Sequence, residues 1–141
     1  MKVKIKLFEG GKLPEFKTKG ACCADCYARL TEDVIILRGQ RRLIPLGFAA
    51  DPGKGYEVQI RPRSGLTKDG IDTGWGTGDW DYTGEYMACI INKTSKSFIV
   101  HNGDRIAQMA IRPVPKIKFK VVKDIKKTER GNGGFGHTGI K

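Results

Sequence analysis

The end of this chain carries residues that could bind a nucleotide. Residues 129–139 read ERGNGGFGHTG, so closely spaced glycines surround one arginine, one aromatic ring and one threonine hydroxyl. Successive glycine N–H groups can converge on phosphate oxygens, Arg130 can pair with a phosphate through two parallel hydrogen bonds, and Phe135 can cover a flat ring. The composition predicts a nucleotide clamp. The alternative is a terminus without fixed structure, because the segment has too few apolar residues to form a core.

A second group of residues has the chemistry of a phosphate site. Arg63, Ser64 and Gly65 follow a predicted strand directly and bring together a guanidinium, a hydroxyl and a glycine backbone. Those groups are suited to holding phosphate oxygens. Further along, a turn at Gly103 leads into an apolar strand from which Gln108 could project a neutral amide.

Residues 70–86 form a third constellation, predicted to be a glycine-rich hairpin. Two carboxylates, Asp79 and Asp81, and the ring of Tyr82 lie at its tip. One interpretation is a functional turn that presents a carboxylate to a ligand. The other is a surface hairpin whose aspartates accept hydrogen bonds from turn N–H groups, as aspartates in turns commonly do.

Three of the four cysteines crowd one segment, and Cys23 and Cys26 have the C-x-x-C spacing. A structural zinc site needs four ligands, so the others would have to come from Cys89, His101 or His137. Small buried residues in a strand are the favoured interpretation of these thiols.

The formal net charge of +11 would suit a polyanionic ligand or a nucleic acid. However, lysines alternate with apolar residues over 2–7 and again over 116–121. Such alternation is typical of strands with one solvated face. No nucleic-acid motif accompanies the charge, so no specific nucleic-acid partner is predicted.

The pattern of the whole chain predicts an all-β fold of the jelly-roll type, because short apolar or alternating runs are separated by turn-forming residues and no window keeps a helical period. At 141 residues, this is one domain of about 1–127, followed by a glycine-rich arm over 128–141. The predicted strands cover 3–8, 34–37, 42–48, 56–60, 85–92, 98–100, 106–113 and 117–122.

No apolar stretch approaches the roughly 18 residues of a membrane span, and the residues after Met1 alternate with lysine rather than form a signal-peptide core. We therefore expect no membrane association and a cytoplasmic location.

Taken in order, these segments resemble the trimeric dUTPase family. The resemblance runs from about residue 20 to residue 139, and the glycine arm is its most specific part. It implies a jelly-roll homotrimer, of the β-clip type, that hydrolyses dUTP to dUMP and pyrophosphate. This activity would limit uracil in DNA and supply dUMP for dTMP synthesis. Four segments carry the match, at 62–66, 71–84, 103–109 and 130–139.

The resemblance also implies a role for individual residues. Asp79 corresponds to the general base that orients a water for attack on the α-phosphorus, with Gln108 helping to place the triphosphate or that water. Tyr82 corresponds to the ring that packs on deoxyribose. The uracil would be read by backbone at Thr77, Gly78 and Met87, and Arg63, Ser64 and Gly65 would form the phosphate cradle. The remaining residues would come from the arm of another subunit: Arg130, Gly133, Gly134, Phe135, Gly136 and Thr138.

The family resemblance implies Mg²⁺ as cofactor, bound mainly by the triphosphate itself, with Asp25 in contact through water. Two departures from the family pattern are visible. The first motif usually reads A-G-x-D, whereas residues 22–25 read CCAD, and Gly78 stands where a larger apolar residue is usual. The second departure predicts a looser hairpin.

Two other functions share the same features. A dCTP deaminase of the same fold would need a glutamate near the amine, and a complete glycine arm argues against it. A non-catalytic regulatory trimer that only binds nucleotide is the second alternative, because a fold can outlast its activity.

Overall fold

The structure is a computed structural model, and it describes residues 1–134 of the chain. Within that part, eleven β-strands and one single-turn helix make up the regular structure. In chain order they are β1 (Lys4–Leu7), β2 (Ala24–Tyr27), β3 (Val34–Ile36), β4 (Arg41–Pro45), β5 (Phe48–Asp51), β6 (Tyr56–Arg61), α1 (Ser64–Lys68), β7 (Ile71–Thr73), β8 (Gly76–Gly78), β9 (Met87–Asn92), β10 (Phe98–Val100) and β11 (Arg105–Pro113).

All the strand pairs described are antiparallel, and they form four small sheets. The largest has the order β2-β11-β6-β8, and a second has the order β4-β9-β7. The pairs β1-β5 and β10-β3 complete the set. Neighbours in these sheets are mostly distant in sequence, so the fold rests on long-range pairing.

The core lies between the sheets and is built from alternate residues of the strands. Phe48, Ile44 and Ile90 are fully buried there, and so are Val58 of β6 and Val100 of β10. In β9 the pattern exposed, buried, half-buried, buried repeats the period of two expected of a strand with one face in the core. The prediction of an all-β fold is confirmed.

One predicted strand was wrong. Residues 117–122 alternate lysine with apolar side chains, but the structure has no strand there. β11 ends at Pro113, and the chain then leaves the sheets, so that Phe119 is 97 % and Val121 98 % exposed. A strand needs a neighbour for its backbone hydrogen bonds, and no strand of residues 1–134 pairs with this segment.

The predicted strand over 42–48 is two strands in the structure. Gly47 has a φ of +75°, a conformation that glycine adopts without steric cost, and this turn divides β4 from β5. β2 lies in the cysteine segment that was interpreted as a strand, and β7 and β8 lie within the hairpin predicted over 70–86, but no bounds were predicted for these three strands. They are three or four residues long, and no alternation of apolar and polar residues marks their ends.

In the described part of the chain, no helix has the length and apolar character needed to span a bilayer.

Candidate active site

A pocket of about 330 Å³ opens between the β8 hairpin and the start of β9. Five of the predicted site residues line it: Thr77, Gly78, Asp79, Tyr82 and Met87. Ile60, Gly76, Glu85 and Tyr86 complete the lining. The hairpin predicted from its glycines therefore forms a concave surface with two carboxylates, Asp79 and Glu85, and two tyrosines.

The hairpin is held in place by β6. Ile60 pairs with Gly76, and Val58 pairs with Gly78, in antiparallel register. After β8, the chain reverses through a turn in which the Tyr82 N–H donates to the Asp79 carbonyl over 3.1 Å. The turn therefore presents Asp79 and Tyr82 from its two ends to the same pocket.

The Asp79 side chain is exposed, and no residue in 1–134 donates a hydrogen bond to its carboxylate. Other aspartates differ, because Asp51, Asp72 and Asp104 each accept a backbone N–H nearby. The interpretation of Asp79 as a turn-satisfying aspartate therefore finds no support in the described contacts. Its carboxylate is available for a ligand or a water molecule.

Two contacts hold the Tyr82 side chain in place, one at its hydroxyl and one at its ring. Its hydroxyl donates to the Glu85 carbonyl over 2.9 Å, and the ring meets that of Tyr86 edge to face, with 5.3 Å between centroids. A Cβ at Gly84 would overlap the Tyr82 hydroxyl, so this position requires glycine. The residue is nevertheless 45 % exposed, so a ligand in the pocket can contact it.

Glu85 is a pocket residue that sequence analysis missed. Its two oxygens accept from Arg29 Nε over 2.8 Å and from Arg29 Nη2 over 2.7 Å, and Oε1 also accepts the Gly47 N–H over 2.8 Å. The Arg29 guanidinium is the main reason why the pKa of the Glu85 carboxyl lies below its usual value. Its partner is 56 residues away, and no local pattern indicates the pair.

Tyr86 is the second residue that was missed, and it explains why Gly78 is tolerated. A Cβ at Gly78 would overlap the Tyr86 hydroxyl and ring. The tyrosine therefore occupies the space in which a side chain at position 78 would lie. It also stacks on Phe48, with ring centroids 5.6 Å apart.

A second polar cluster lies on the sheet of β2, β6 and β11. The Asp25 carboxylate accepts from Arg63 Nε over 3.1 Å, from Arg63 Nη2 over 3.3 Å and from Arg105 Nη1 over 3.1 Å. Arg63 Nη1 also donates to the Arg105 carbonyl over 2.7 Å. Asp25 is buried, so two guanidinium groups neutralise it and hold the Arg63 side chain in one orientation.

Gln108 and the start of α1 adjoin this cluster. Gln108 is paired with Asp25 on one side and with Arg61 on the other, and its Nε2 donates to the Pro62 carbonyl over 2.7 Å. Ser64 and Gly65 are the first two residues of α1, where backbone N–H groups lack helical acceptors.

The structure therefore divides the predicted site residues into three groups within one chain: the hairpin pocket, the arginine cluster with its neighbours, and the arm. Arg63, Ser64, Gly65 and Gln108 do not line the hairpin pocket. The arm forms a third group, in which Arg130 Nε donates to the Gly133 carbonyl over 2.9 Å and Gly134 is exposed. The predicted ligands Phe135, Gly136 and Thr138 lie outside the described residues.

No group of three or more histidine, cysteine or acidic side chains in residues 1–134 is arranged to hold a metal ion. Cys26 is buried in β2, and burial raises the pKa of its thiol far above the usual value. This fits the interpretation of Cys26 as a buried strand residue and gives the zinc alternative no support in that part of the chain.

Solved structures of the same fold match this chain over most of its length. A dUTPase of Staphylococcus bacteriophage 80alpha, in a structure with dUpNHpp, matches with a TM-score of 0.90 at 22 % identity and covers 99 % of both chains. A dUTPase of phage phi11 of S. aureus, whose structure concerns the coordination of a structural Mg(II) ion, matches with a TM-score of 0.81 at 19 % identity, over 88 % of this chain and 98 % of that one. The chain thus has the all-β jelly-roll fold of dUTPases, as predicted.

Sequence comparison then gives the family. The dUTPase family profile matches residues 10–139. The deoxyuridine 5'-triphosphate nucleotidohydrolases of Chlamydia pneumoniae and Treponema denticola are each 46 % identical to this chain over 143 aligned positions, with 99 % of both sequences covered. This chain belongs to the dUTPase family.

Proposed function

We propose that this chain acts as a dUTP diphosphatase, hydrolysing dUTP to dUMP and pyrophosphate with the hairpin pocket as its nucleoside site. Family membership over nearly the full length supports the activity. The observation that carries the assignment of the site is the Asp79 carboxylate, which is exposed beside the Tyr82 ring and accepts no described hydrogen bond.

Asp79 is the proposed general base. A carboxylate that no protein donor occupies can accept a proton from a water molecule and orient it. The water oxygen bonds to the α-phosphorus, the bond from that phosphorus to the α,β-bridging oxygen breaks, and pyrophosphate leaves with that oxygen. The water proton passes to Asp79 and from there to solvent.

The sugar and base would occupy the rest of the pocket. Tyr82 offers a ring face held by the hydroxyl bond to the Glu85 carbonyl and by the Tyr86 edge, so it cannot easily retreat from an added 2′-hydroxyl. Backbone at Thr77 and Gly78, with Met87 opposite, would read the uracil edge.

The triphosphate would be held by the second cluster. Arg63 is oriented by Asp25 and by the Arg105 carbonyl, and Ser64 and Gly65 supply N–H groups next to it. Gln108, anchored on the Pro62 carbonyl, would place the water or the phosphate from the neighbouring strand. A fixed guanidinium loses less entropy on binding phosphate than a mobile one.

Mg²⁺ is the proposed cofactor, as the phi11 relative and the family suggest. The described residues do not provide a set of direct ligands for the ion, because both oxygens of Asp25 accept hydrogen bonds from Arg63 and Arg105. The residues fit a metal that arrives on the triphosphate, where it would neutralise phosphate charge, with protein contact through water. No step of the mechanism above depends on Asp25 as a direct ligand.

A homotrimer with shared sites is the proposed assembly. Within one chain the hairpin pocket and the arginine cluster are lined by different residues, and a site needs both. Apolar side chains that a monomer would leave in water support an assembled form: Phe119, Val121 and Ile125 in the segment after β11, and Leu43 of β4. We propose that residues 128–141 form an arm that closes over the site of a neighbouring subunit, with the glycines and Arg130 on the β- and γ-phosphates and Phe135 on the uracil.

The dCTP deaminase alternative needs a glutamate near the amine, and one glutamate, Glu85, does line the pocket. Arg29 and the Gly47 N–H occupy both of its oxygens, and its lowered pKa keeps it ionised. A carboxylate in that state is poorly suited to shuttle protons in a deamination. The regulatory-trimer alternative is left to experiment, and a cytoplasmic location stays a prediction.

The products distinguish these functions. Purified protein supplied with dUTP and Mg²⁺ should release equimolar dUMP and pyrophosphate, and dCTP should release no ammonia. Hydrolysis in ¹⁸O-labelled water should place the label in dUMP, because attack is at the α-phosphorus. Ammonia from dCTP would identify a deaminase, and binding of dUpNHpp without hydrolysis of dUTP would identify a regulatory protein.

A further inference from the structure

Tyr86 is a buried polar residue that has no role in the proposed hydrolysis. Its side chain is only 5 % exposed, and its hydroxyl has no hydrogen-bond partner among residues 1–134. Leaving a buried hydroxyl unpaired is destabilising, so such a group in a protein is expected to have a partner in some functional state. Phenylalanine would fill the same space without this cost.

The surroundings of Tyr86 place its hydroxyl under the turn that carries Asp79. The ring stacks on Phe48 and meets the ring of Tyr82, and its hydroxyl end lies against Gly78, the residue immediately before Asp79. Backbone hydrogen bonds fix the residue as well, since its N–H donates to the Phe48 carbonyl over 2.9 Å and its carbonyl accepts the Leu46 N–H over 3.0 Å.

Gly78 leaves the path from this hydroxyl to the pocket open. Any side chain at position 78 would overlap the Tyr86 hydroxyl, so the two residues are complementary in shape. Gly78, Asp79 and Tyr86 all line the same pocket. Burial, the neighbouring Tyr82 and, after them, the negative charge of the Asp79 carboxylate raise the pKa of Tyr86 to about 12. The hydroxyl is therefore a protonated donor at neutral pH.

We propose that Tyr86 is a positioning residue for the general base: its ring supports the turn in place of a side chain at position 78, and its hydroxyl donates to the Asp79 carboxylate during the reaction. The inference rests on the proposed role of Asp79. It assigns the buried hydroxyl a partner and explains why a tyrosine and a glycine occur together here. A carboxylate held by one donor keeps its second oxygen aimed at the water.

The first test is Tyr86→Phe, which keeps the ring and removes only the donor. We expect kcat to fall about tenfold or more, because a hydrogen bond to a charged group is lost. The KM for dUTP and the Kd of dUpNHpp should stay within about twofold, and the Tm should be unchanged or higher, because an unpaired buried hydroxyl has been removed. Tyr56→Phe, at the start of β6, is the matched control and should leave every value unchanged.

The second test addresses the shape of the pair. Gly78→Val should lower both Tm and kcat by forcing the Tyr86 ring from its place. Tyr86→Leu should lower both by leaving a cavity. The double variant Gly78→Val/Tyr86→Leu should regain most of the Tm, because the new side chain occupies the vacated space, but not the kcat, because the donor is absent.

The outcomes separate this inference from the proposed function. Wild-type kcat in Tyr86→Phe, with Asp79→Asn inactive, would overturn the positioning role and leave the base assignment intact. A raised KM with unchanged kcat would overturn it too, since the hydroxyl would then bind substrate instead. Failure of the wild-type protein to hydrolyse dUTP would overturn the function itself.

Discussion

The Arg29 guanidinium donates two parallel hydrogen bonds, of 2.8 and 2.7 Å, to the Glu85 carboxylate. Glu85 forms one wall of the pocket, and its backbone carbonyl accepts the Tyr82 hydroxyl. Arg29, which lies before β3, thus contacts the residue whose carbonyl anchors the ring on which the sugar is proposed to pack. Both side chains are mostly buried, with 31 % and 21 % exposed, so solvent screens the pair only in part.

This pair should make stability depend on pH. The pKa of Glu85 is lower in the folded protein than in the unfolded chain, so the unfolded state binds more protons as pH falls. Its contribution is complete above the unfolded value, near 4.5, and is lost as pH falls through the lower folded value. Glu85→Gln should cost roughly 1–3 kcal/mol of unfolding free energy at pH 7.

Urea unfolding at pH 7 and at pH 3.5 measures the effect. The difference in unfolding free energy between wild type and Glu85→Gln should be smaller at the lower pH. Asp51→Asn is the control, because the Lys4–Asp51 pair lies on the surface and should contribute little. If the difference in unfolding free energy instead grew on acidification, the pKa of Glu85 would be raised rather than lowered in the folded protein.

Selectivity should depend on the ring of Tyr82. A rigid slot rejects added bulk, so UTP and dTTP should both have a much lower kcat/KM than dUTP. Tyr82→Ala should raise the UTP-to-dUTP ratio of kcat/KM about tenfold or more, whereas Tyr82→Phe, which keeps the ring and loses only the bond to Glu85, should raise it far less. Equal discrimination in Tyr82→Ala and wild type would remove the ring from sugar recognition.

The segment after β11 should be needed for assembly. Phe119 and Val121 expose 97 % and 98 % of their surface in the single chain, and burying two such side chains at a subunit contact would contribute several kcal/mol in total. Phe119→Ser/Val121→Ser should shift the protein from trimer to monomer in light scattering and abolish dUTP hydrolysis. The matched variant Lys118→Ser/Lys120→Ser, on the alternate positions, should stay trimeric. A trimer in both variants would place the subunit contacts elsewhere.

Deleting residues from 128 onward should leave the Tm and the trimer nearly unchanged and abolish efficient hydrolysis, because the arm adds little apolar burial. Co-refolding this truncated chain with Asp79→Asn chains tests whether sites are shared. If base and arm come from different subunits, random mixing of equal amounts should restore roughly a quarter of the wild-type sites. A mixture as inactive as its parents, with subunit exchange verified by mass spectrometry, would show that both come from one chain.

The sequence alone was sufficient for the parts of this protein whose signals are local. Alternation identified β6, short apolar runs identified β10 and β11, and the glycines with Asp79 and Tyr82 marked the hairpin that the structure shows as a pocket. The same reasoning failed at 117–122, because alternation indicates a strand with two faces but does not supply a partner within the chain.

The rest of the pocket depends on contacts between distant residues. Arg29 and Glu85 are 56 positions apart, and the Tyr86 ring packs against Gly78 after the chain has reversed through the turn at Asp79. From the sequence, Gly78 predicted a more flexible hairpin. Only the packed structure reveals that the ring of Tyr86, just before β9, fills the space beside Gly78.

Turnover by Asp79→Asn tests the central claim most directly. The variant should fold, bind dUpNHpp with a Kd close to that of wild type, and release pyrophosphate from dUTP roughly 10² to 10⁴ times more slowly, which is the usual contribution of a positioned base. Asp81→Asn, in the same turn but outside the pocket lining, should retain activity near that of wild type. Wild-type turnover in Asp79→Asn would contradict the account, because the carboxylate at the tip of the hairpin would then have no part in the chemistry.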